Sequence, residues 1–594
     1  MVAWSNTATF IPLSPPSRGR KPPSQFIELL RLFWQRFLDN DLIAPQAETR
    51  VALAPILALL AIPGVIFSLR SYSQYSFLWT RIGYPVPQFP LDLPVSWSDK
   101  FLLLHLSMIL MGFITVLEWD ALFPDRRDYL ILAPLPIRLG TLLAAKVTAL
   151  FLFLLVFTVA LNGCSSILFP LMAMNPNAPA RYALGYISAH ATSVLAANAF
   201  VLLFCVALQG VLMNAVGVRY FQWISRSVQL VLLFLFVCLF FLLPRTFSFV
   251  KGLNPDSHSF IHFLPPMWFT GLYETLQGSD HSEFRALALL AGQFLAGALA
   301  LFILTYTVGF KRHVRRSLES SYTVSPTTAE WVGSVLQKLD TLFLRNPAER
   351  AVFHFACRTI LRSSRHRLYL GAYAGVGLAL TLVGIASTVR RSADVGIERY
   401  DPSLLSIPLV MSFFILCGIR FVFTVPAELN ANWIFRLVQG APPLEYLSGA
   451  RKVMWAFGVL PLPTVLFPFY GALWGVEASF LHLSFVLTLA GILAEILLFR
   501  FQKVPFTCSY LPGKANLKLY WFPYVASFSI YAYGMASIER IMLEYPARFV
   551  IFYTAALGVL CYLKLRRRQL PPSERSVIFE EQPEPAVRGL NLSP

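Results

Sequence analysis

The sequence predicts an all-α protein that crosses a membrane about twelve times. The chain has 594 residues, of which 56% are hydrophobic and only 13% charged, and its mean hydropathy is +0.60. Apolar runs recur along nearly the whole chain. About 20 such residues cross the hydrocarbon core as a helix, since the backbone must bond itself in lipid. A soluble protein of this size has no way to hide so much apolar surface, so most soluble enzyme classes are excluded.

The apolar runs define the predicted spans, and their edges leave the count between eleven and thirteen. The ninth and tenth runs meet at Gly475-Val476-Glu477, which predicts a tight hairpin. The spans are predicted at 51–69, 101–119, 141–163, 182–214, 228–244, 285–310, 368–388, 404–424, 453–476, 477–500, 519–537 and 546–563.

The charge pattern predicts the orientation. The net charge is +18, and most Lys and Arg residues fall in segments that share one side if the N-terminus is inside. This is the positive-inside pattern, so both termini are predicted to be cytoplasmic. A basic balance also suits nucleic-acid binding, but no basic stripe lies on a soluble domain, so no nucleic-acid partner is predicted.

The hydrophilic segments divide the chain into predicted regions. Residues 1–25 lack the apolar core of a signal peptide and are expected to be disordered. Residues 26–50 contain an amphipathic helix, either lying in the inner interface or packed as a soluble helix on the inner loops. Its apolar stripe is Phe26, Leu29, Leu30, Phe33 and Phe37. A first membrane half of six helices (51–310), a cytoplasmic linker (311–367), a second six-helix half (368–563) and a basic, Pro-rich cytoplasmic tail (564–594) follow.

The two predicted halves show a weak internal similarity. In each, a polar loop after an even-numbered helix leads to a proline pair. Ten residues separate Pro136 from Lys146, and ten separate Pro442 from Lys452. Duplicated halves are a common way to build transporters, although chance similarity is the alternative.

Several catalytic motifs are missing. The sequence contains no G-x-x-x-x-G-K-[ST], no H-E-x-x-H and no G-x-S-x-G, so the chain is not expected to hydrolyse ATP through a P-loop. His258 and His262 have the i, i+4 spacing of metal ligands, but in a Pro-rich outer stretch where a solvated loop is favoured. We therefore predict no catalytic, cofactor-binding or metal residues and no enzyme activity in this chain.

Charges inside helices are costly and are therefore candidate functional residues. Snorkelling to a helix end explains Glu118, Lys146 and Arg420, and Glu495 is placed to pair with Arg420. The Gly371-x-x-x-Gly375 pattern indicates close helix packing. The outer segment 260–276 is aromatic, which predicts an interface belt or a re-entrant piece, with the lining of an exit for an amphiphile as an alternative.

The run 118–146 resembles the inner loop of type-2 ABC exporter permeases. In that family an acidic and basic patch precedes an L-x-x-L-P-[IVL]-[RS] stretch and a helix that opens with Lys. The amphipathic helix before the first span is also similar. The matching residues here are Leu132, Leu135, Pro136, Ile137, Arg138 and Lys146.

The resemblance implies a permease subunit of an ATP-driven exporter in the bacterial inner membrane. ATP would be bound by a separate ABC ATPase subunit, in two copies, and the exported substrate stays open. The family has six spans, so a chain with about twelve is either a fused pair or a six-helix permease with an extra membrane domain. The residues implied in docking are Asp125, Arg126, Arg127, Asp128, Pro136 and Arg138 in the first loop, and Glu428, Asn430 and Arg436 in the second.

Two other functions remain open at this point. One is a membrane-embedded lipid-linked transferase, for which Asp92 and Asp99 of the 70–100 loop are the acidic candidates. The other is a non-catalytic component of a membrane assembly, which would show no substrate flux.

Overall fold

The fold is entirely helical in the part of the chain that the structure, a computed structural model, describes. Ten of the described helices are long and apolar enough to cross a membrane. The prediction of an all-α, multi-pass membrane protein is thus confirmed. The described residues are 24–38, 49–82, 94–123, 135–174, 179–216, 218–251, 259–279, 281–319, 344, 346–395, 400–427, 443–507 and 517–571.

The helices of the first part surround one core that extends from Leu29 to Tyr306. Short 3-10 turns at Trp119–Ala121 and Ser259–Phe263 separate some of them. The helices are α1 Gln25–Leu38, α2 Thr49–Ile82, α3 Pro94–Leu117, α4 Leu139–Ala173, α5 Ala180–Ala215, α6 Val218–Lys251, α7 Pro265–Leu276 and α8 Ser282–Glu319.

The helices of the second part enclose several smaller cores. Two π-helical turns, Trp455–Val459 and Ile530–Gly534, interrupt long helical stretches. The helices are α9 Pro347–Arg362, α10 Ser364–Val395, α11 Pro402–Val422, α12 Pro443–Met454, α13 Pro461–Trp474, α14 Val476–Leu497, α15 Leu517–Ser529, α16 Met535–Glu544 and α17 Arg548–Gln569.

Ten of the twelve predicted runs coincide with the candidate spans. The first and the eleventh runs are not among the ten candidate spans. The first run, 51–69, lies in α2, and the eleventh, 519–537, lies across α15, the second π-helical turn and α16. Serines, tyrosines and a glycine lower the hydropathy of the eleventh. The division into two six-helix halves stays a prediction.

The apolar stripe of α1 faces protein. Leu29, Phe33 and Phe37 are buried and belong to the core that α4 shares, whereas Ile27 and Leu32 are exposed. The contact is with α4, which is one of the candidate spans, so the choice between a helix in the membrane interface and a soluble helix on the inner loops stays a prediction. Two exposed apolar side chains remain on its other side.

Part of the predicted linker is a packed helix. In α9, the side chains of Val352, Phe353, Ala356 and Ile360 are buried. Burial also raises the pKa of the Cys357 thiol to about 12, so this cysteine stays protonated. The second group of packed helices therefore begins before 368, the predicted boundary.

Close contact between α6 and α10 joins the two parts. A Cβ atom at Gly371 would lie 2.6 Å from Leu230 Cδ2, and one at Gly375 would lie 3.8 Å from Phe234 Cδ2. The prediction that this G-x-x-x-G pattern serves helix packing is confirmed.

A one-residue turn joins α13 and α14. Gly475 lies between them with φ +83°, a left-handed conformation that glycine adopts without a steric penalty. The two helices pack against each other. The predicted tight hairpin is confirmed.

Candidate functional site

The first predicted docking loop, which contains residues 125–138, leads into α4. The helix α1 packs against the start of α4. Lys146 of α4 is fully buried. Its Nζ lies 4.8 Å from the centroid of the Phe33 ring and 4.7 Å from that of Phe37. An ammonium over an aromatic face is attracted by the ring quadrupole. The snorkelling explanation for Lys146 is wrong, because α1 covers the side chain.

The loop residues nearest α4 are exposed. Pro136 and Arg138 both lie at the surface. Arg138 is the N-cap residue of α4, and its carbonyl accepts a hydrogen bond from Thr141 N–H at 2.9 Å. This end of the loop is therefore an exposed surface attached to a fixed helix start, with Arg138 as its charged residue. The other residues implied in the first loop, Asp125, Arg126, Arg127 and Asp128, lie outside the described residues.

At its other end, the same loop begins after α3. Hydrogen bonds hold the end of that helix in place. Glu118 at the end of α3 is buried, so it does not snorkel. The next residue, Trp119, donates its indole N–H to Ser225 Oγ at 2.9 Å. Gln209 Nε2 donates to the Trp119 carbonyl at 3.0 Å. These bonds tie the end of α3 to α5 and α6.

The second part of the molecule contains a similar helix pair at α9 and α12. Lys452 Nζ lies 2.5 Å from Glu349 Oε1. A Cβ atom at Gly449 would lie only 2.7 Å from the Glu349 carbonyl oxygen, so glycine allows the close approach. Lys146 and Lys452 each follow a proline pair by ten residues. Each of the two lysines therefore contacts an amphipathic helix that precedes it in the sequence.

The predicted pair between Arg420 and Glu495 is wrong. Glu495 Oε1 lies 2.8 Å from Arg451 Nε, and its Oε2 lies 3.9 Å from Arg567 Nη1. Arg420 Nε donates instead to the Leu497 carbonyl at 3.0 Å. The guanidinium of Arg420 also lies over the Phe501 ring, 4.5 Å from its centroid. A carbonyl at a helix end is a favourable partner for a cation, which explains the arrangement.

Hydrogen bonds fix the residues that come just before the second predicted docking loop. Ala427 N–H donates to the Phe506 carbonyl at 2.9 Å, and Phe506 N–H donates to the Phe423 carbonyl at 3.2 Å. His366 Nε2 lies 3.0 Å from the Val425 carbonyl oxygen. Phe506 is buried and has φ +67°, which a non-glycine residue adopts only where its surroundings hold it. Glu428, Asn430 and Arg436, the residues implied in docking, lie outside the described residues.

A buried ion pair at the other end of the first part was missed by the sequence analysis. Lys100 Nζ of α3 lies 2.7 Å from Glu274 Oε1 of α7, and both side chains are 3% exposed. Lys100 also donates to Gln277 Oε1 at 2.5 Å. These contacts fasten α7, the predicted re-entrant piece, to α3. No pattern in the sequence connects them, because the two charges are 174 residues apart.

Polar and aromatic side chains surround this pair. Asp99 is buried and accepts a hydrogen bond from Tyr75 OH at 3.1 Å. His190 is fully buried, 5.2 Å from Tyr273 between ring centroids. Burial raises the pKa of Tyr273, and Tyr186 and Glu274 raise it further, so the phenol stays protonated. Asp92, the second candidate for a transferase, lies outside the described residues.

A second buried acid and base pair lies in the second part. His482 Nδ1 of α14 lies 2.7 Å from Glu539 Oε1 of α16, and both side chains are 0% exposed. The rings of Tyr470 and Trp474 lie edge-on to His482, at 4.5 and 5.5 Å between centroids. The eleventh predicted run, 519–537, ends two residues before Glu539, so Glu539 is not among the charges predicted within helices. A search for charges within apolar helices would have found it had the helix been extended by one turn.

The candidate metal residues are only partly described. His262 Nε2 lies 3.4 Å from Glu283 Oε2, and His258 falls outside the described residues. Within the described ranges, no three His, Cys, Asp or Glu side chains are grouped as metal ligands. Comparisons with family models, with curated proteins and with solved structures give no match.

Proposed function

We propose that the chain is the membrane-spanning permease subunit of an exporter driven by a separate ATPase subunit. The observation that carries the proposal is the contact between α1 and the start of α4, where Lys146 lies against Phe33 and Phe37. The exposed residues Pro136 and Arg138 stand directly before this helix start. A partner that binds them would act on a rigid unit of two helices.

A movement of the partner must reach the membrane helices through the loop that the partner binds. A displacement of a flexible loop is absorbed within the loop, whereas one applied between two fixed helix ends moves those helices. The loop 118–138 leaves α3 at a point held by Trp119 and Gln209 and enters α4 at Arg138. Movement of the partner on ATP binding would therefore tilt α3 and α4 together. Such packed elements are what carries coupling between distant sites.

A second partner copy is proposed at α9 and α12. The contact of Lys452 with Glu349 has the same place in the order of elements as that of Lys146 with α1. Other helix pairs of the first part also recur in the second part. The contact of α4 with α5 corresponds to that of α13 with α14, and the contact of α5 with α8 corresponds to that of α14 with α17. The match fails for α2, which packs on α4, because α10 packs on α6 and α11. These recurring pairs support a fused pair of permease halves, and the proposal places the protein in a bacterial inner membrane.

The test is purification of the tagged full-length chain in a gentle detergent, with ATPase activity and partner identity measured together. A soluble P-loop ATPase should be recovered at two copies per chain, and the double variant Arg126→Ala/Arg127→Ala should lose it. Arg181→Ala is the matched control, since Arg181 is exposed at the opposite end of the helices. Recovery of the chain alone, without ATP turnover, would refute the proposal and favour a transferase or an assembly component.

A further inference from the structure

A cavity of about 190 Å³ lies between α10, α11 and the π-helical turn 530–534. Engineered cavities of about 150 Å³ admit a ligand of benzene size, so this one has room for a small head group. It lies at the end of α10 opposite α9, which the charge pattern predicts to be the outer end. Turns of π-helix are often found at functional sites, and Tyr533 of this turn lines the cavity.

The polar part of the lining consists of five hydroxyl groups, and three of them already donate their proton to a backbone carbonyl. Thr381 Oγ1 donates to the Gly377 carbonyl at 2.9 Å, and Ser387 Oγ donates to the Gly384 carbonyl at 2.5 Å. Ser406 Oγ donates in the same way to the Ser403 carbonyl at 2.8 Å. A hydroxyl has one proton and two lone pairs, so these oxygens remain as acceptors. A ligand that matches these three oxygens donates hydrogen bonds, and a ligand hydroxyl can also accept one from Ser403 or Tyr533, which line the same cavity.

The charge of the lining favours a neutral ligand. None of the described residues that line the cavity is Lys, Arg, Asp or Glu. A charged head group would lose its hydration without gaining an opposite charge, which is costly. The start of α11 would attract an anion, but Asp401 Oδ1 already accepts a hydrogen bond from Ser403 N–H at 2.7 Å.

The remaining lining is apolar. Leu380, Val383 and Val410 complete the wall, and the helices that carry them, α10 and α11, are both candidate membrane spans. A ligand that fits both parts has a head with hydroxyl groups and an alkyl chain. We propose that this cavity binds a neutral, hydroxyl-bearing amphiphile such as a monoacylglycerol. The proposal concerns binding alone and stands whether or not an ATPase drives the protein.

Gly384 offers a way to fill the cavity without disturbing the fold. It lines the cavity, and a Cβ atom built there meets nothing within 4 Å. Gly384→Leu should therefore occupy the ligand space, whereas Gly384→Ala adds one methyl and improves helix propensity. Thr381→Val removes one acceptor oxygen while keeping the shape of the side chain.

The experiment uses the full-length protein in phosphatidylcholine nanodiscs, with Tm measured during titration with monooleoylglycerol, oleate or oleylamine. These probes share one chain and differ in head group. Monooleoylglycerol should raise Tm saturably for the wild type and Gly384→Ala, but not for Gly384→Leu. Thr381→Val should need a higher concentration for the same rise. An equal rise with all three probes, or with Gly384→Leu and Gly384→Ala, would overturn the proposal.

Discussion

Lys146 and Phe37 lie 109 residues apart in the sequence, yet the Lys146 ammonium lies 4.7 Å from the centroid of the Phe37 ring, with no exposed surface on the lysine. This contact joins a helix outside the predicted spans to the first turns of a spanning helix. It explains how a short amphipathic segment that could not cross a membrane holds a defined position.

A double-mutant cycle tests whether the two side chains interact energetically. Lys146→Met and Phe37→Leu each remove one partner, and their coupling energy should be about 0.5–2 kcal/mol because the contact is desolvated. Unfolding of the purified protein in mild detergent, followed by tryptophan fluorescence, measures it. Strict additivity would show that the residues pack together without a cation–π contribution.

The partners of Glu495 provide a second test. Removing Arg451 and Glu495 in a cycle should show coupling of about 1 kcal/mol, a modest value since both side chains are partly exposed. The same cycle with Arg420 should be additive, because Arg420 donates to the Leu497 carbonyl. Thermal unfolding of the single and double variants separates the two cases. Coupling to Arg420 alone would contradict the described geometry.

The features of the fold and of the candidate site differ in how far the sequence predicts them. Local patterns predicted the buried stripe of α1, the glycine contacts at Gly371 and the hairpin at Gly475, because each depends on residues close in sequence. The Lys100–Glu274 pair joins residues 174 apart, and spacing alone carries no information on such a contact. The error at Arg420 has a related cause. The position of a charged residue along a spanning helix gives its depth in the membrane. It does not give the direction in which the side chain points.

The Lys100–Glu274 pair gives the largest expected effect on stability. Both side chains are 3% exposed, so Glu274→Gln leaves a buried ammonium without its counter-charge. Loss of one member of a buried pair typically costs about 3–5 kcal/mol. Lys100→Met with Glu274→Leu removes both charges and should recover much of that loss. The midpoint of thermal unfolding in detergent measures each step, and a double variant less stable than either single variant would contradict this account.

The position of α7 against α8 depends on a close approach at Gly271. A Cβ atom there would lie 2.4 Å from Leu287 Cβ and 2.8 Å from the Phe284 carbonyl oxygen, and neither atom is the mobile end of a side chain. Gly271→Ala should therefore separate the two helices and lower the stability by about 1–3 kcal/mol, as overpacking usually does.

Gly292 of α8 supplies the matched control for this substitution. A Cβ atom at Gly292 meets nothing within 4 Å, so Gly292→Ala should be neutral or stabilising by up to about 1 kcal/mol through helix propensity. Thermal unfolding in the same detergent compares the two variants. Because α7 also carries Glu274, the Gly271→Ala protein should lose much of its sensitivity to Glu274→Gln. Equal stability of the two alanine variants would mean that α7 does not pack on α8 as described.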